Sequence, residues 1–207
     1  SQLILRLIHK GVMMRQFTIF LIFLSFSYGV ELKIGSVMPK KELKLIDTEG
    51  KSINLNSIKG SEATLVVFSC NTCPWVIKWE DRYLEIAKNY TPKGVSMVAI
   101  NSNVSRFDGD DSLEKMKKHA SKMNYNFIYA QDPNAELAYA FGATKTPHIY
   151  LFDKNDILVY RGAIDDNARD ANKVTEPFLA NALDALLSKK KIKKTTSKAL
   201  GCSIKYN

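Results

Sequence analysis

The stretch Phe68-Ser69-Cys70-Asn71-Thr72-Cys73-Pro74-Trp75 contains two of the three cysteines in this 207-residue chain. Residues 63–68 form an apolar run rich in β-branched side chains, which predicts an interior strand. Apolar residues then recur at helical spacing over residues 74–90, which predicts an amphipathic helix. Pro74 suits the first turn of that helix, where its missing N–H group costs nothing. Cys73 is therefore expected at the helix start.

The predicted position of Cys73 gives its thiol a chemical role. The free N–H groups and the positive dipole end of a helix N-terminus stabilise an anion, including a thiolate. The thiolate is the reactive form of cysteine in both nucleophilic attack and disulfide exchange. The strand–cysteine–helix order thus predicts a redox or nucleophilic site at Cys73.

The N-terminal residues have the pattern of a targeting segment. An apolar stretch begins with residues 17–24, and Arg15 supplies a positive flank before it. Ser27 and Gly29 offer small side chains for a signal peptidase. We interpret residues 1–29 as a cleaved secretory signal, which places the mature protein in the periplasm or another extracytoplasmic space. An uncleaved membrane anchor is the alternative.

The net charge of the chain and its number of cysteines limit which functions are possible. The chain carries a formal charge of +9, and five lysines lie within residues 189–194. We expect this run to be a solvated, mobile linker, so residues 189–207 form a cysteine-bearing tail behind a domain at 30–188. No basic stripe with interleaved aromatic residues occurs elsewhere, which argues against nucleic-acid binding. Export would allow disulfides to persist, and with three cysteines at least one thiol stays outside any internal pairing.

Strands and helices alternate along the rest of the chain. This alternation predicts an α/β domain with a central mixed sheet covered by helices on both faces. The predicted elements are a hairpin of 43–46 and 52–55, strand 63–68, helix 74–90, strand 95–101, a helix from Ser112 to about Met123, strand 127–130, a helix capped by Asp132 and ending before Gly142, a hairpin of 148–152 and 157–160, and a helix capped by Thr175 and running to Leu187.

This order resembles the thioredoxin fold in its peroxiredoxin-like (redoxin) form, over roughly residues 35–187, with an N-terminal β-hairpin extension. Four separated motifs are similar to those of a peroxiredoxin-like subgroup of thioredoxin-like proteins. They are Cys70-Asn71-Thr72-Cys73-Pro74, Ala99-Ile100-Asn101-Ser102-Asn103, Arg161-Gly162-Ala163-Ile164-Asp165-Asp166-Asn167 and Gly201-Cys202-Ser203-Ile204-Lys205-Tyr206.

The resemblance implies a role for each cysteine. In thioredoxins the attacking cysteine follows a strand Phe by five residues, and from Phe68 this count reaches Cys73. Cys70 then takes the place of a Thr that peroxiredoxins have three residues before the attacking cysteine. We expect Cys73 to be the nucleophile, Cys70 the first-choice resolving partner, and Cys202, carried by the mobile tail, the second. A permanent structural Cys70–Cys73 disulfide is the alternative.

The resemblance also implies a substrate groove. In this fold a cis proline preceded by a Thr-like residue sits against the active cysteine, and Thr146-Pro147 matches that pair. The unpaired backbone of Thr146 is then expected to bind an extended partner chain, and Trp75 to flank the groove or pack inside. Peroxiredoxins also carry an Arg near the attacking sulfur. The corresponding strand position here is Pro147, and Arg161 lies beyond the hairpin, which puts fast peroxide reduction in doubt.

The leading hypothesis is an exported thiol oxidoreductase with antioxidant activity. Its Cys73 thiolate reduces a peroxide or exchanges a protein disulfide, with electrons from a thiol protein and no bound organic cofactor. Metal handling is a second hypothesis, in which Cys70 and Cys73 with His148 or Cys202 hold copper or zinc. A third is a redox-inert binding module that uses the groove beside Pro147. The sequence does not distinguish peroxide reduction from disulfide exchange.

Overall fold

The computed structural model describes residues 30–206, and the predicted signal segment lies outside them. The described residues form nine strands and four α-helices. The strands are Leu45–Asp47 (β1), Ser52–Ile53 (β2), Ala63–Phe68 (β3), Val95–Asn101 (β4), Ile128–Gln131 (β5), Lys145–Thr146 (β6), His148–Asp153 (β7), Leu158–Gly162 (β8) and Cys202–Ser203 (β9). The helices are Pro74–Tyr90 (α1), Leu113–Lys122 (α2), Glu136–Phe141 (α3) and Phe178–Leu187 (α4).

Seven of the described strands form one mixed sheet, in the order β2-β1-β5-β4-β3-β7-β8. The central strands β3, β4 and β5 run parallel, while β7 pairs with β3 in antiparallel fashion. The hairpin β1–β2 extends the sheet at one edge and β8 closes the other. The predicted thioredoxin-like fold with an N-terminal hairpin is thereby confirmed.

Alternate residues of the buried strands supply two separate cores, because successive side chains point to opposite faces of a sheet. Leu65 and Val67 of β3 face one side, where they pack with the apolar stripe of α1 and with α4. Val66 and Phe68 face the other side and pack against α3. Every residue of β3 is buried, which explains why its sequence is a continuous apolar run rather than an alternating one.

Two predicted helix starts are wrong, one by three residues and one by two. Asp132 does not act as the N-cap of α3, which begins only at Glu136 after Ala135, a residue in the left-handed region. The Asp132 carboxylate nevertheless accepts hydrogen bonds from the N–H groups of Leu137 and Ala138, both at 3.0 Å. The acid therefore caps the helix from outside it, across an intervening turn.

Thr175, predicted to cap the last helix, is bound elsewhere. Its backbone N–H donates to the Asp166 carboxylate at 3.0 Å, and its hydroxyl donates to the same carboxylate. The helix α4 consequently starts at Phe178, with Pro177 as its N-cap residue. The competing acceptor comes from a loop nine residues earlier, which a search for local caps does not consider.

The C-terminal residues do not project from the domain. We expected residues 189–207 to be a mobile linker and tail, but residues 195–197 lie along β8 and residues 202–203 form β9. The N–H of Arg161 donates to the Thr195 carbonyl at 3.1 Å, and the Arg161 carbonyl accepts from the Ser197 N–H at 3.1 Å. Ile192, the one apolar residue among the lysines of 189–194, packs against the core formed with α1 and α4 and so anchors this segment to the domain. None of the helices within residues 30–206 is long and apolar enough to cross a membrane.

Candidate active site

The candidate site lies where β3 ends and α1 starts. Cys73 is the N-cap residue of α1, and Pro74 occupies the first position of the helix. Because the N-terminal end of a helix carries a partial positive charge, this position stabilises a thiolate.

All three cysteines meet at this helix end, and all three are free thiols. Cys70 and Cys202 both lie close enough to Cys73 to shift its pKa. Cys70 and Cys73 are each only 3% exposed, whereas Cys202 is half-buried. The sulfur of Cys202 is therefore the one that a molecule in solution reaches most easily.

The three thiols differ in acidity. Hydrogen bonds from Cys70, then from Cys202 and the Val76 N–H, lower the pKa of Cys73 to about 4 despite its burial. The hydrogen bond to Cys73 and desolvation by burial raise the pKa of Cys70 far above that of a free thiol. Burial and the hydrogen bond to Cys73 also raise the pKa of Cys202. The pKa of Cys73 is therefore lowered while the pKa values of Cys70 and Cys202 are raised, so Cys73 is the cysteine that loses its proton first.

Thr146 and Pro147 lie directly against the two cysteines of the loop. The peptide bond between them is cis. The Thr146 hydroxyl oxygen lies 3.5 Å from the Cys70 sulfur, and its carbonyl oxygen lies 3.0 Å from the Cys73 sulfur. That carbonyl accepts the Cys73 proton when the thiol is protonated, so it opposes the other partners, which favour the thiolate.

The backbone of Thr146 is not free, contrary to our expectation. Strand β9 pairs antiparallel with β6, with Cys202 opposite Thr146 and Ser203 opposite Lys145. Thr146 itself is 1% exposed. The chain's own C-terminal strand therefore occupies the edge where the sequence predicted an extended partner chain.

Several contacts hold β9 in place. The Ile204 N–H donates to the Thr144 carbonyl at 3.1 Å, and the Lys205 N–H donates to the Asn103 side chain at 2.8 Å. Ile204 is buried in the core that faces α3, and the Tyr206 ring stacks on the Tyr139 ring at 4.4 Å.

Trp75 borders the site from the first turn of α1. Its ring is partly buried, packs against the core beneath α1, and lies 6.0 Å from the ring of Trp79. The Lys78 ammonium sits over the ring at 5.1 Å.

A buried polar network beneath the cysteine loop was not foreseen from the sequence. The fully buried Asp111 carboxylate accepts from the Asn71 N–H at 3.0 Å and from the Asn103 side chain at 2.9 Å. The Tyr129 hydroxyl donates to the Asn71 side chain at 2.9 Å. Asn101 binds the turn after β4 by accepting from the Asn103 N–H at 3.1 Å. The motif Ala99–Asn103 was a signal for this network, because two asparagines at the end of a buried strand, Asn101 and Asn103, need partners.

The motif at residues 161–167 has two structural roles. Asp165 is 3% exposed and accepts from the Trp79 indole N–H at 2.8 Å, and it pairs with the Arg82 guanidinium at 3.3 Å. It also accepts from the Asn167 N–H at 2.8 Å, which caps the loop after β8. The motif therefore fixes α1, and with it the helix end that carries Cys73.

Arg161 and His148 are engaged with Glu31 rather than with the cysteines. The Arg161 guanidinium pairs with the Glu31 carboxylate, and His148 Nε2 lies 2.9 Å from the same carboxylate. These contacts, led by the hydrogen bond from His148, lower the pKa of Glu31. The charged partner of Arg161 among the described residues is therefore Glu31, and Arg161 is not among the groups that lower the pKa of Cys73.

The metal hypothesis gains no support from this geometry. Within residues 30–206, no group of three or more His, Cys, Asp or Glu side chains is arranged to hold a metal ion. His148, one of the two predicted additional ligands, is bound to Glu31 instead.

The chain is similar to known proteins at the level of family and fold. The Redoxin family model matches residues 33–179. A crystal structure of an uncharacterized conserved protein from Geobacillus kaustophilus is 38% identical, with a TM-score of 0.78 over 84% of this chain and 93% of that chain. A hypothetical protein from Sinorhizobium meliloti 1021 is 32% identical, with a TM-score of 0.78 over 86% and 97%.

A more distant structure connects this fold with named redox proteins. Peroxidoxin BcpB from Mycobacterium tuberculosis is 16% identical, with a TM-score of 0.58 over 76% of this chain and 98% of that chain, which shows a shared fold. The comparison with curated protein sequences found no match.

Proposed function

Because this chain belongs to the Redoxin family, a family of thiol-dependent oxidoreductases, we propose that Cys73 is its attacking nucleophile and Cys202 its resolving thiol. The observation that carries the proposal is the meeting of three free thiols at the start of α1, where the pKa of Cys73 alone is lowered. A thiolate at a helix N-terminus is ready to attack an electrophilic oxygen or sulfur atom.

The proposed reaction has two steps. With a peroxide, the Cys73 thiolate attacks one oxygen, the O–O bond breaks, and the leaving hydroxide or alkoxide takes a proton, which leaves a sulfenic acid on Cys73. The Cys202 thiol then attacks the sulfenic sulfur, an S–S bond forms, and the sulfenic hydroxyl leaves as water with the Cys202 proton. With a disulfide substrate, the Cys73 thiolate attacks one sulfur, the substrate S–S bond breaks, and one substrate thiolate leaves with the electron pair. The Cys202 thiol then attacks the Cys73 sulfur of the mixed disulfide, a Cys73–Cys202 bond forms, and the second substrate thiol leaves with the Cys202 proton.

The sequence favoured Cys70 as the resolving partner, but accessibility supports Cys202. A Cys70–Cys73 disulfide would join two sulfurs from residues that are each 3% exposed, so a protein thiol could reach neither. A Cys73–Cys202 disulfide would present the half-buried Cys202 sulfur to a thiol protein. Attack there would expel Cys73, whose low pKa makes it the better leaving group.

The test mixes reduced mature protein with a small excess of hydrogen peroxide, follows thiol loss, alkylates the remaining thiols and maps the peptides by mass. We expect Cys73 to oxidise faster than a free cysteine and a Cys73–Cys202 bond to accumulate, with Cys73→Ser as the unreactive control. A predominant Cys70–Cys73 bond with a free Cys202 thiol would assign resolution to Cys70. Oxidation no faster than that of a free cysteine, together with no reaction with small disulfides, would refute the function.

We propose further that residues 1–29 direct export, so that the reaction takes place outside the cytoplasm. The apolar stretch at 17–24 behind Arg15 supports this proposal. Fractionation of expressing cells with N-terminal sequencing tests it: a mature chain beginning near Val30 is expected, and an uncleaved chain in the membrane fraction would favour the anchor.

A further inference from the structure

The tail strand, which we define as residues 201–206, fills the polypeptide-binding edge of the candidate site. Its backbone pairs with Lys145 and Thr146 in the antiparallel arrangement that an added peptide strand would use. A sheet edge that is already paired cannot accept a second strand on the same side. An extended substrate must therefore first displace the tail strand.

The fit between the tail strand and the edge is close and specific. A Cβ atom built on Gly201 would lie 2.3 Å from the Thr146 carbonyl oxygen and 2.7 Å from the Thr146 carbonyl carbon. Both are backbone atoms of a buried residue, so they cannot move aside cheaply. Glycine is thus the residue that permits this approach.

Anchors beyond the pairing make displacement costly. Ile204 is 5% exposed within the core facing α3, and the Tyr206 hydroxyl donates to the Ala143 carbonyl. The Lys205 N–H is held by Asn103, whose side-chain amide donates to the buried Asp111 carboxylate. The tail strand is therefore tied both to the hydrophobic core and to the polar network beneath the cysteine loop.

From these contacts we infer that the tail strand determines substrate size: it admits small oxidants, such as hydrogen peroxide or low-molecular-weight disulfides, to Cys73 and excludes extended polypeptides. The inference rests on the proposed function, in which Cys73 is the nucleophile. Small molecules need only the sulfur, whereas a polypeptide needs the backbone edge of Thr146 as well.

The test compares two disulfides that release the same chromophore. One joins 5-thio-2-nitrobenzoate to the central cysteine of an extended eight-residue peptide, and the other joins it to cysteamine. In each, the Cys73 thiolate attacks the sulfur of the peptide or of cysteamine, the S–S bond breaks, and the coloured thiolate leaves with the electron pair. All variants carry Cys202→Ser, which removes the most exposed of the three thiols and leaves the Cys73 thiolate as the nucleophile.

The quantity compared is the ratio of the peptide rate to the cysteamine rate, in which changes in Cys73 reactivity cancel. Gly201→Ala should displace the tail strand from β6. If the tail strand is paired with β6 in about nine molecules of ten, which needs a free-energy preference of only ~1.4 kcal/mol, its displacement should raise the ratio about tenfold or more. Gly109→Ala is the matched control, since its Cβ would meet only one atom, the Arg106 carbonyl oxygen at 3.6 Å. Ile204→Ser is a second unseating variant, and circular dichroism verifies that each variant is folded.

The outcomes distinguish the role of the tail strand in selecting substrate size from the proposed function of Cys73 as the nucleophile. An equal ratio in the docked and unseated variants, with a fast cysteamine reaction, would overturn the tail strand as a size selector and leave the proposed function intact. A slow reaction of the Cys202→Ser parent with the cysteamine disulfide and with hydrogen peroxide would instead refute the proposed function.

Discussion

Removal of the Cys70 thiol should raise the pKa of Cys73 by a predictable amount. The Cys70 hydrogen bond is the largest contribution that lowers the pKa of Cys73 to about 4. A hydrogen bond to a charged group contributes ~1.5–3 kcal/mol, and 1.36 kcal/mol corresponds to one pH unit, so Cys70→Ala should place the midpoint at about pH 5–6. Cys70→Ser, which keeps a donor, should shift it less.

The assay measures the rate of iodoacetamide alkylation at Cys73 against pH, with the modified peptide quantified by mass spectrometry. The parent and Cys70→Ala proteins should react alike at pH 7, where both carry the thiolate, and differ most near pH 5. Identical midpoints in the two proteins would contradict the role of Cys70 in lowering the pKa of Cys73. A parent midpoint near that of a free thiol would contradict the lowered pKa itself.

The lowered pKa of Cys73 also determines how the free energy of unfolding changes with pH. The folded pKa of Cys73 lies below that of an unfolded thiol, about 8.5, so between these values the unfolded chain binds the extra proton. Relative to Cys73→Ser, the reduced protein should therefore gain stability as pH rises from about 4 to about 8.5 and lose it as pH falls again. Urea unfolding across this range measures the difference.

Two further substitutions test the packing around the site. Asp165→Ala leaves the Arg82 guanidinium and the Trp79 indole N–H buried without their acceptor, and should cost about 3–5 kcal/mol in urea unfolding; a loss below about 1 kcal/mol would show that the pair is dispensable. Gly162→Ala requires a side chain at φ +139°, 2.4 Å from the Ser197 carbonyl oxygen, and should cost about 1–3 kcal/mol. Faster trypsin cleavage within the lysine run would verify that residues 195–197 have left β8, and cleavage at the parent rate would contradict it.

Local sequence predicted most elements because their signals are local. The predicted bounds of 63–68, 74–90 and 95–101 equal the observed ones, since each is an apolar run or stripe bounded by polar residues. The starts of two helices were predicted wrongly because the hydrogen-bond partners involved are not sequence neighbours. Asp132 accepts from the N–H of Leu137 in α3 across a turn, and Asp166 accepts from the N–H of Thr175.

The tail strand was not predicted because its sequence pattern is present but very short. Cys202, Ile204 and Tyr206 alternate with polar residues, which is a strand pattern of only a few residues. Its partner β6 lies more than fifty residues earlier and is itself only two residues long, so no local rule identifies the pairing. The preceding lysines suggested a mobile linker, although Ile192 among them is packed.

The position of Cys202 also links the redox reaction to the stability of the entire domain. A bond between Cys70 and Cys73 would close a loop of a few residues, whereas Cys73 and Cys202 stand roughly 130 residues apart. In the chain-entropy account, closing a loop of about 100 residues or more removes enough freedom from the unfolded chain to contribute ~4–5 kcal/mol. A Cys73–Cys202 disulfide would therefore close most of the domain into one covalent loop. The oxidised protein would then resist heat and denaturant far better than the reduced protein.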